Sequence, residues 1–179
     1  MLMAMRLEQE LVFVAKAHRS IPPATLCLGI ARVRIGHFLE VPMKPEHLLQ
    51  SIYLGDRACK AVVIDSWKER VAIQIDVISR LKPGTTTWDY YTGADITDGW
   101  LIFSGVRRFL LEPGGPLPND LVNGFSVRGL DSTEKPMYLF ELSIGSVDSV
   151  GHSTEVLVRI EASRFHLEDP SRPGTEIME

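Results

Sequence analysis

Apolar and polar residues alternate along several segments of the chain, and this alternation predicts β-strands. The clearest segment is VAIQIDVIS, residues 71–79, in which apolar residues occupy every second position and Gln74 and Asp76 lie between them. Successive side chains of a strand point to opposite faces of a sheet, so this segment is typical of a half-buried strand. The preceding segment CKAVVID, residues 59–65, completes a predicted hairpin whose loop spans residues 66–70.

Strand-like segments recur at short intervals through the rest of the chain, and the segments between them are too short to supply crossover helices. Further strands are predicted at residues 85–91, 100–104, 106–112, 125–128, 138–144 and 156–162. Gly105 divides two of them. The pattern therefore predicts a mostly β fold: an antiparallel sandwich or an open, bent barrel of seven to eight strands with one short N-terminal helix.

That helix is predicted directly after Met43. Pro45 suits the first turn of a helix, and Glu46 complements the positive end of its dipole. The apolar face of the predicted helix consists of Leu48, Leu49, Ile52 and Tyr53.

The charge balance also changes near Met43. Residues 1–42 carry five basic and three acidic side chains, so with a net charge of −4 for the whole chain, residues 43–179 carry −6. We expect a single β-rich domain at residues 43–169 and a flexible, proline-containing tail at residues 170–179. Residues 1–42 are either a loosely packed N-terminal extension or sequence upstream of the natural start.

Composition excludes several classes of function. The chain has no clustered Lys and Arg that would indicate a nucleic-acid partner, and it has no apolar run long enough to cross a membrane. It shows no export signal, so a cytoplasmic location is expected. Cys27 and Cys59 form no metal-binding or disulfide spacing and are expected to be buried. No metal and no cofactor is predicted.

The segment EPGGPLPND, residues 112–120, resembles a ligand loop at first sight. However, Pro113, Pro116 and Pro118 remove three backbone donors, and Glu112 and Asp120 would repel an anion. The segment also lacks the lysine and the following helix of a phosphate-binding loop. It is predicted to be a stiff corner between strands.

No sequence motif of a serine hydrolase or a zinc protease is present, and the protein is predicted not to be an enzyme. An active site assembled from remote residues remains an alternative, with Glu112, Asp120 and His152 as its candidates. His152 lies in a predicted hairpin loop, where a solvated histidine is expected. His166 is expected to be a surface residue of the last strand.

Aromatic and acidic residues are concentrated between residues 88 and 100, in WDYYTGADITDGW. One interpretation is a protein-recognition surface, because Trp and Tyr anchor many interfaces and acidic side chains steer basic partners. The other is structural: alternate rings face the core, and the following loop sets turn geometry. The candidate partner-binding residues are Trp88, Asp89, Tyr90, Tyr91, Asp95 and Asp98.

The hairpin through Trp67 and five segments, which together fall within about residues 43–169, carry a resemblance to a known family. The segments are YLGDRACK at 53–60, WDYY at 88–91, GWLIFSGVRRFLLEPGGPLPNDLV at 99–122, YLFELSIGS at 138–146 and EVLVRIEASRFHLED at 155–169. They resemble an uncharacterised bacterial family of small β-rich domains. They are also similar in pattern to immunity-type proteins that neutralise polymorphic toxins. The resemblance implies no catalytic residues and no assigned activity.

The resulting expectation is a non-enzymatic binding protein that neutralises a protein partner, such as a cognate toxin, through an acidic and aromatic surface. Many toxins that act on nucleic acids carry basic clefts, which an acidic surface would attract. Two alternatives remain open: the enzyme described above, and a structural module that associates with itself through an exposed strand edge.

Overall fold

A computed structural model describes residues 44–80, 94–133 and 135–178. The N-terminal extension 1–42, the strand predicted at 85–91 and the candidate residues Trp88, Asp89, Tyr90 and Tyr91 lie outside the described residues.

The described residues form one short helix and twelve strands. Their bounds are α1 Pro45–Gln50, β1 Ile52–Tyr53, β2 Cys59–Asp65, β3 Arg70–Ile75, β4 Val77–Arg80, β5 Ile96–Thr97, β6 Trp100–Ser104, β7 Arg108–Glu112, β8 Val122–Leu130, β9 Met137–Val147, β10 Ser153–Ala162, β11 Arg164–Glu168 and β12 Glu176–Ile177.

The strands form three antiparallel sheets. A five-stranded sheet has the order β12-β11-β6-β3-β2, a four-stranded sheet has the order β7-β10-β9-β8, and a small sheet has the order β1-β4-β5. Among the described strands, eight have five or more residues, and none of the three sheets closes into a barrel. The predicted fold class, mostly β with antiparallel pairing and one short helix, is confirmed.

Two connections carry the chain from one large sheet to the other at the same corner. Strand β6 passes into β7 through Gly105, whose φ is 62°, and β10 passes into β11 through Ser163. Because β6 pairs with β11 and β7 pairs with β10, the two bends lie beside each other. The Ser163 amide and hydroxyl both donate to the Ser104 carbonyl, each at 3.1 Å. Bends of this kind turn one sheet into the next at the corner of a sandwich.

The core contains side chains from both large sheets. Its aromatic centre is Phe103, with ring-centroid distances of 5.0 Å to Phe140 and 5.2 Å to Phe165. All three rings are almost completely inaccessible to solvent. Aromatic pairs at such separations add to the stabilisation that comes from burial itself. The period-two apolar residues of β9 and β10 point into this core, as their pattern predicted. Val71, Ile73 and Ile75 of β3 do so too, but the single strand predicted at 71–79 ends at Ile75, and Val77–Arg80 forms β4 in the small sheet.

Several local predictions needed correction. The helix ends at Gln50, and Ile52 and Tyr53 form β1, which pairs with Arg80 and Ser79 instead of extending the helical face. Tertiary pairing therefore overrides the helical spacing there. The strand predicted at 125–128 is longer and spans Val122–Leu130. The 59–65 hairpin is confirmed, with Asp65 opposite Arg70. The tail 170–179 includes β12, which pairs with β11.

Candidate functional site on the five-stranded sheet

The outer face of the five-stranded sheet buries residues that do not belong to the core. The strand registers place Ala72, Ile102 and His166 side by side across β3, β6 and β11. Their sequence neighbours, such as Phe103 and Phe165, point into the core, so these three side chains point to the opposite face. All three are nevertheless buried, with His166 only 6% exposed.

Two ion pairs explain this burial, because each runs diagonally across the row of buried side chains. Arg70 on β3 contacts Glu168 on β11 at 3.0 Å, and Arg164 on β11 contacts Glu176 on β12 at 2.8 Å. In both pairs the two partners lie on opposite sides of the row defined by Ile102 and His166. The aliphatic stems of the arginines can cover apolar neighbours while the guanidinium groups remain in contact with water.

His166 is therefore a buried histidine beneath charged side chains, and its assignment as a surface residue was wrong. Its Nδ1 is buried and has no hydrogen-bond partner among the described residues. Burial lowers the pKa of His166, an effect that Arg164 and Arg70 reinforce and that Glu176 and Glu168 oppose. In the sequence, His166 lies between Phe165 and Leu167, which face the core, and this position indicates only that His166 points outward. The sequence does not reveal its burial, because Arg70 and Glu168, which form one of the covering ion pairs, are 98 residues apart.

A cleft of about 210 Å³ opens on the same face. It combines an aromatic wall with three charged side chains, and its lining is Val63, Asp65, Arg70, Ala72, Trp100 and Glu168. The β2–β3 hairpin forms one side of this cleft, and Trp67 at its tip is 96% exposed. Neither Trp67 nor this cleft was among the predicted sites. The only local indication of this site in the sequence is that a tryptophan, Trp67, lies in the predicted hairpin loop, where it is expected to be exposed.

Asp98 lies at the rim of this face. Its carboxylate pairs with Lys60 at 2.5 Å, and its carbonyl accepts a hydrogen bond of 3.3 Å from Gln74 Nε2. Asp95 has a different role, because its Oδ1 accepts a hydrogen bond of 3.2 Å from the Arg80 backbone amide in the small sheet. Of the two predicted acidic residues that the structure describes, Asp98 thus contacts side chains of β3 and of the β2 edge in the five-stranded sheet, whereas Asp95 contacts the small sheet.

The candidates for a remote active site are dispersed. Glu112 pairs with Arg159 in a second cleft, of about 300 Å³, on the outer face of the four-stranded sheet. Asp120 and His152 do not line that cleft. His152 is exposed and lies 3.2 Å from Asp148, so its prediction as a solvated loop histidine is confirmed.

The proline-rich segment 112–120 is a corner, as predicted. The side-chain amide of Asn119 pairs with the last residue of β9 as the backbone of a neighbouring strand would. Its Nδ2 donates to the Val147 carbonyl at 3.0 Å, and its Oδ1 accepts from the Val147 amide at 2.8 Å. Its backbone amide donates to the Gly145 carbonyl. The side-chain amide and the backbone N–H of Asn119 are therefore bonded to the protein's own backbone.

The described part of the chain contains no group of three His, Cys, Asp or Glu residues arranged to hold a metal ion. Cys59 is buried, as predicted, and burial raises the pKa of its thiol to about 11. Cys27 lies outside the described residues. No helix within the described ranges is long and apolar enough to cross a membrane.

Comparison with known proteins places the chain by family. No curated protein and no solved structure matches it. A family model described as a family of unknown function, DUF6258, matches residues 43–179. The match begins where the charge balance changes, at Met43, and covers most of the chain. The chain therefore belongs to DUF6258, a family of unknown function.

Proposed function

We propose that this protein is a non-enzymatic protein-binding domain that acts through the outer surface of the five-stranded sheet. This binding surface consists of the cleft described above, Trp67 on the adjoining hairpin, and the Lys60–Asp98 ion pair at the rim. The observation that carries the proposal is Trp67, whose side chain is 96% exposed beside a cleft lined by Trp100 and charged groups.

Exposure of a tryptophan side chain to water is unfavourable, whereas its burial in an interface stabilises a complex. Burying a large aromatic side chain releases more apolar surface than almost any other single contact, and tryptophan is enriched among the residues that dominate binding energy. Trp67 makes no contribution to the hydrophobic core that would explain its presence. Its surroundings supply the polar rim that usually encloses such an anchor.

The charged groups of the cleft suit a protein partner. Arg70 and Glu168 already form an ion pair with each other, so a partner's charged side chain can exchange with either one. The Arg70 and Glu168 side chains are 38% and 22% exposed, so a partner's charged group can reach both of them. They therefore favour specificity of orientation over raw affinity.

The partner class follows from the charge of the domain. Residues 43–179 carry a net charge of −6, which attracts a basic protein over distances of about 10 Å at moderate ionic strength. Our proposal includes a bacterial origin and an immunity-like role: neutralisation of a cognate toxin with a basic cleft, in the cytoplasm. We expect Asp98 at the rim to contribute to that attraction, together with Asp65 and Glu168 in the cleft.

The test is quantitative capture of partners from an extract of the source organism by the immobilised full-length chain, followed by titration of the captured partner. Trp67→Ala should weaken binding by about 30-fold or more, as expected for an interface anchor. Asp98→Lys should weaken binding mainly at low salt. Val150→Ala, which changes another exposed apolar side chain (74% exposed) remote in sequence, should have no effect.

Circular dichroism of each variant controls for folding. Equal retention of every basic partner by the wild type, Trp67→Ala and Asp98→Lys would contradict the proposed surface.

A further inference from the structure

The five-stranded sheet ends in an edge strand whose free backbone groups can be identified from its pairing. In β3, the Ile75 amide donates to the Gly99 carbonyl and therefore points toward β6. Antiparallel strands alternate the direction of successive backbone groups, so Ala72 and Gln74 point toward β2 instead. Their partners in β2 are Val63 and Ala61.

It follows that the backbone amides and carbonyls of the β2 residues that alternate with Ala61 and Val63 point away from β3. The amides and carbonyls of Val62 and Ile64 face away from β3, and among the strands that the structure describes β2 has no neighbour on that side. Within residues 44–80, 94–133 and 135–178, only the beginning of β2 is covered, by a hydrogen bond of 2.9 Å from the Cys59 amide to the Asp120 carbonyl.

The side chains along this edge are apolar and accessible. Val63 is 48% exposed on the outer face, and Ile64 is 53% exposed on the inner face. Unpaired edges with exposed apolar residues favour the addition of another strand, and natural proteins usually protect them with charge or proline. The run from Ala61 to Ile64 contains neither. Because β2 exposes Val63 on one face of the sheet and Ile64 on the other, a strand that pairs with it covers both residues best if it too carries apolar side chains on both faces.

We propose that the occupant of this edge is β2 of a second copy of the chain, paired antiparallel about a two-fold axis at Val63. In this register Val62 of each copy lies opposite Ile64 of the other. The four outward amides and carbonyls of each copy then satisfy one another reciprocally, in four hydrogen bonds across the axis.

The same register is favourable for the side chains. Val63 meets its own copy in a close pair that makes no backbone hydrogen bonds, and Asp65 lies opposite Ala61. No like charges stand directly opposite each other, whereas such pairs would oppose association. The strand is thus complementary to itself in backbone groups, side-chain volume and charge.

Pairing of this kind joins the two five-stranded sheets into one continuous sheet. Its two-fold axis is perpendicular to the sheet, so the outer faces of both copies lie on the same side. Because Val63 and Asp65 line the cleft as well as the edge, the two clefts become neighbours on one surface. The inference does not depend on the proposed function, since it concerns the edge and not the partner.

Multi-angle light scattering of the full-length chain across a concentration series tests the proposal. The mass should rise toward twice 20.0 kDa with concentration. Val63→Lys and Val63→Glu should each be monomeric, because like charges then face each other at the axis. An equimolar mixture of the two variants should recover the dimer. Circular dichroism confirms that both variants fold.

Covalent trapping tests the register. Val63→Cys should form a disulfide-linked dimer on mild oxidation, because closely paired strand positions have the Cα separation that a disulfide needs. Val150→Cys, whose thiol would stand at a loop position that is even more exposed (74% against 48% for Val63), should not. A chain that stays monomeric at every concentration, or dimers that persist in both charged Val63 variants, would overturn the proposal. Pairing of β2 only with a strand of a different protein would overturn it as well.

Discussion

Replacing Gly105 with alanine should destabilise the domain through two separable effects. Gly105 has a φ of 62°, in the left-handed region, and it joins β6 to β7 at the corner between the large sheets. A Cβ built on Gly105 would lie 2.2 Å from the Ser163 hydroxyl oxygen, far closer than non-bonded atoms approach. The variant therefore introduces both backbone strain and a steric overlap.

The magnitude follows from these two contributions. A non-glycine residue in the left-handed region costs about 1–2 kcal/mol. Relief of the overlap requires Ser163 to rotate its hydroxyl away, which breaks its hydrogen bond to the Ser104 carbonyl and costs about 1 kcal/mol more. We expect Gly105→Ala to lower the free energy of unfolding by about 2–3 kcal/mol.

Urea denaturation of four proteins separates the effects: wild type, Gly105→Ala, Ser163→Ala and the double variant. Since Ser163→Ala removes the overlapping oxygen, the double variant should lose less stability than the sum of the single variants, by about 1 kcal/mol. Gly129→Ala is the matched control, because no atom lies within 4 Å of its Cβ position. A loss of less than about 0.5 kcal/mol in Gly105→Ala, or strict additivity in the cycle, would refute the reasoning.

Three further outcomes are expected. Because the folded state lowers the pKa of His166, the unfolded chain binds more protons below a pH of about 6.5, so stability should fall as pH decreases through that value. His166→Leu should flatten that part of the stability profile measured by urea denaturation; an unchanged slope would contradict it. Asn119→Ala should cost about 1 kcal/mol and speed hydrogen exchange at the Val147 amide, whereas equal exchange would rule out the pairing. Cys59, with its pKa raised to about 11, should resist alkylation at pH 8 until urea unfolds the chain, as peptide mapping would report.

The alternation of apolar residues predicted most of the large strands because it reports directly on a sheet with one buried face. It succeeded where this condition holds, as in β9 and β10. It shortened β8, whose burial pattern is irregular and which contains Gly124 and Gly129. It also assigned Ile52 and Tyr53 to the helix, because their pairing partners Arg80 and Ser79 lie far along the chain.

The binding surface was harder to predict for a physical reason. Its cleft joins β2, β3, β6 and β11, and its burial of His166 depends on ion pairs between residues remote in sequence, such as Arg70 and Glu168. No local motif encodes such an arrangement. The acidic and aromatic segment near residue 98 indicated one border of the surface, through Asp98, but it did not indicate Trp67 on the neighbouring hairpin.

The central claim is that the outer surface of the five-stranded sheet binds a protein partner. Hydrogen–deuterium exchange of the full-length chain, measured alone and with the partner captured as described above, tests it most directly. The account predicts new protection in peptides covering residues 59–75 and 98–104, where the hairpin, the cleft and its rim lie. Protection confined to the four-stranded sheet, at residues 108–112 and 122–130, would contradict it.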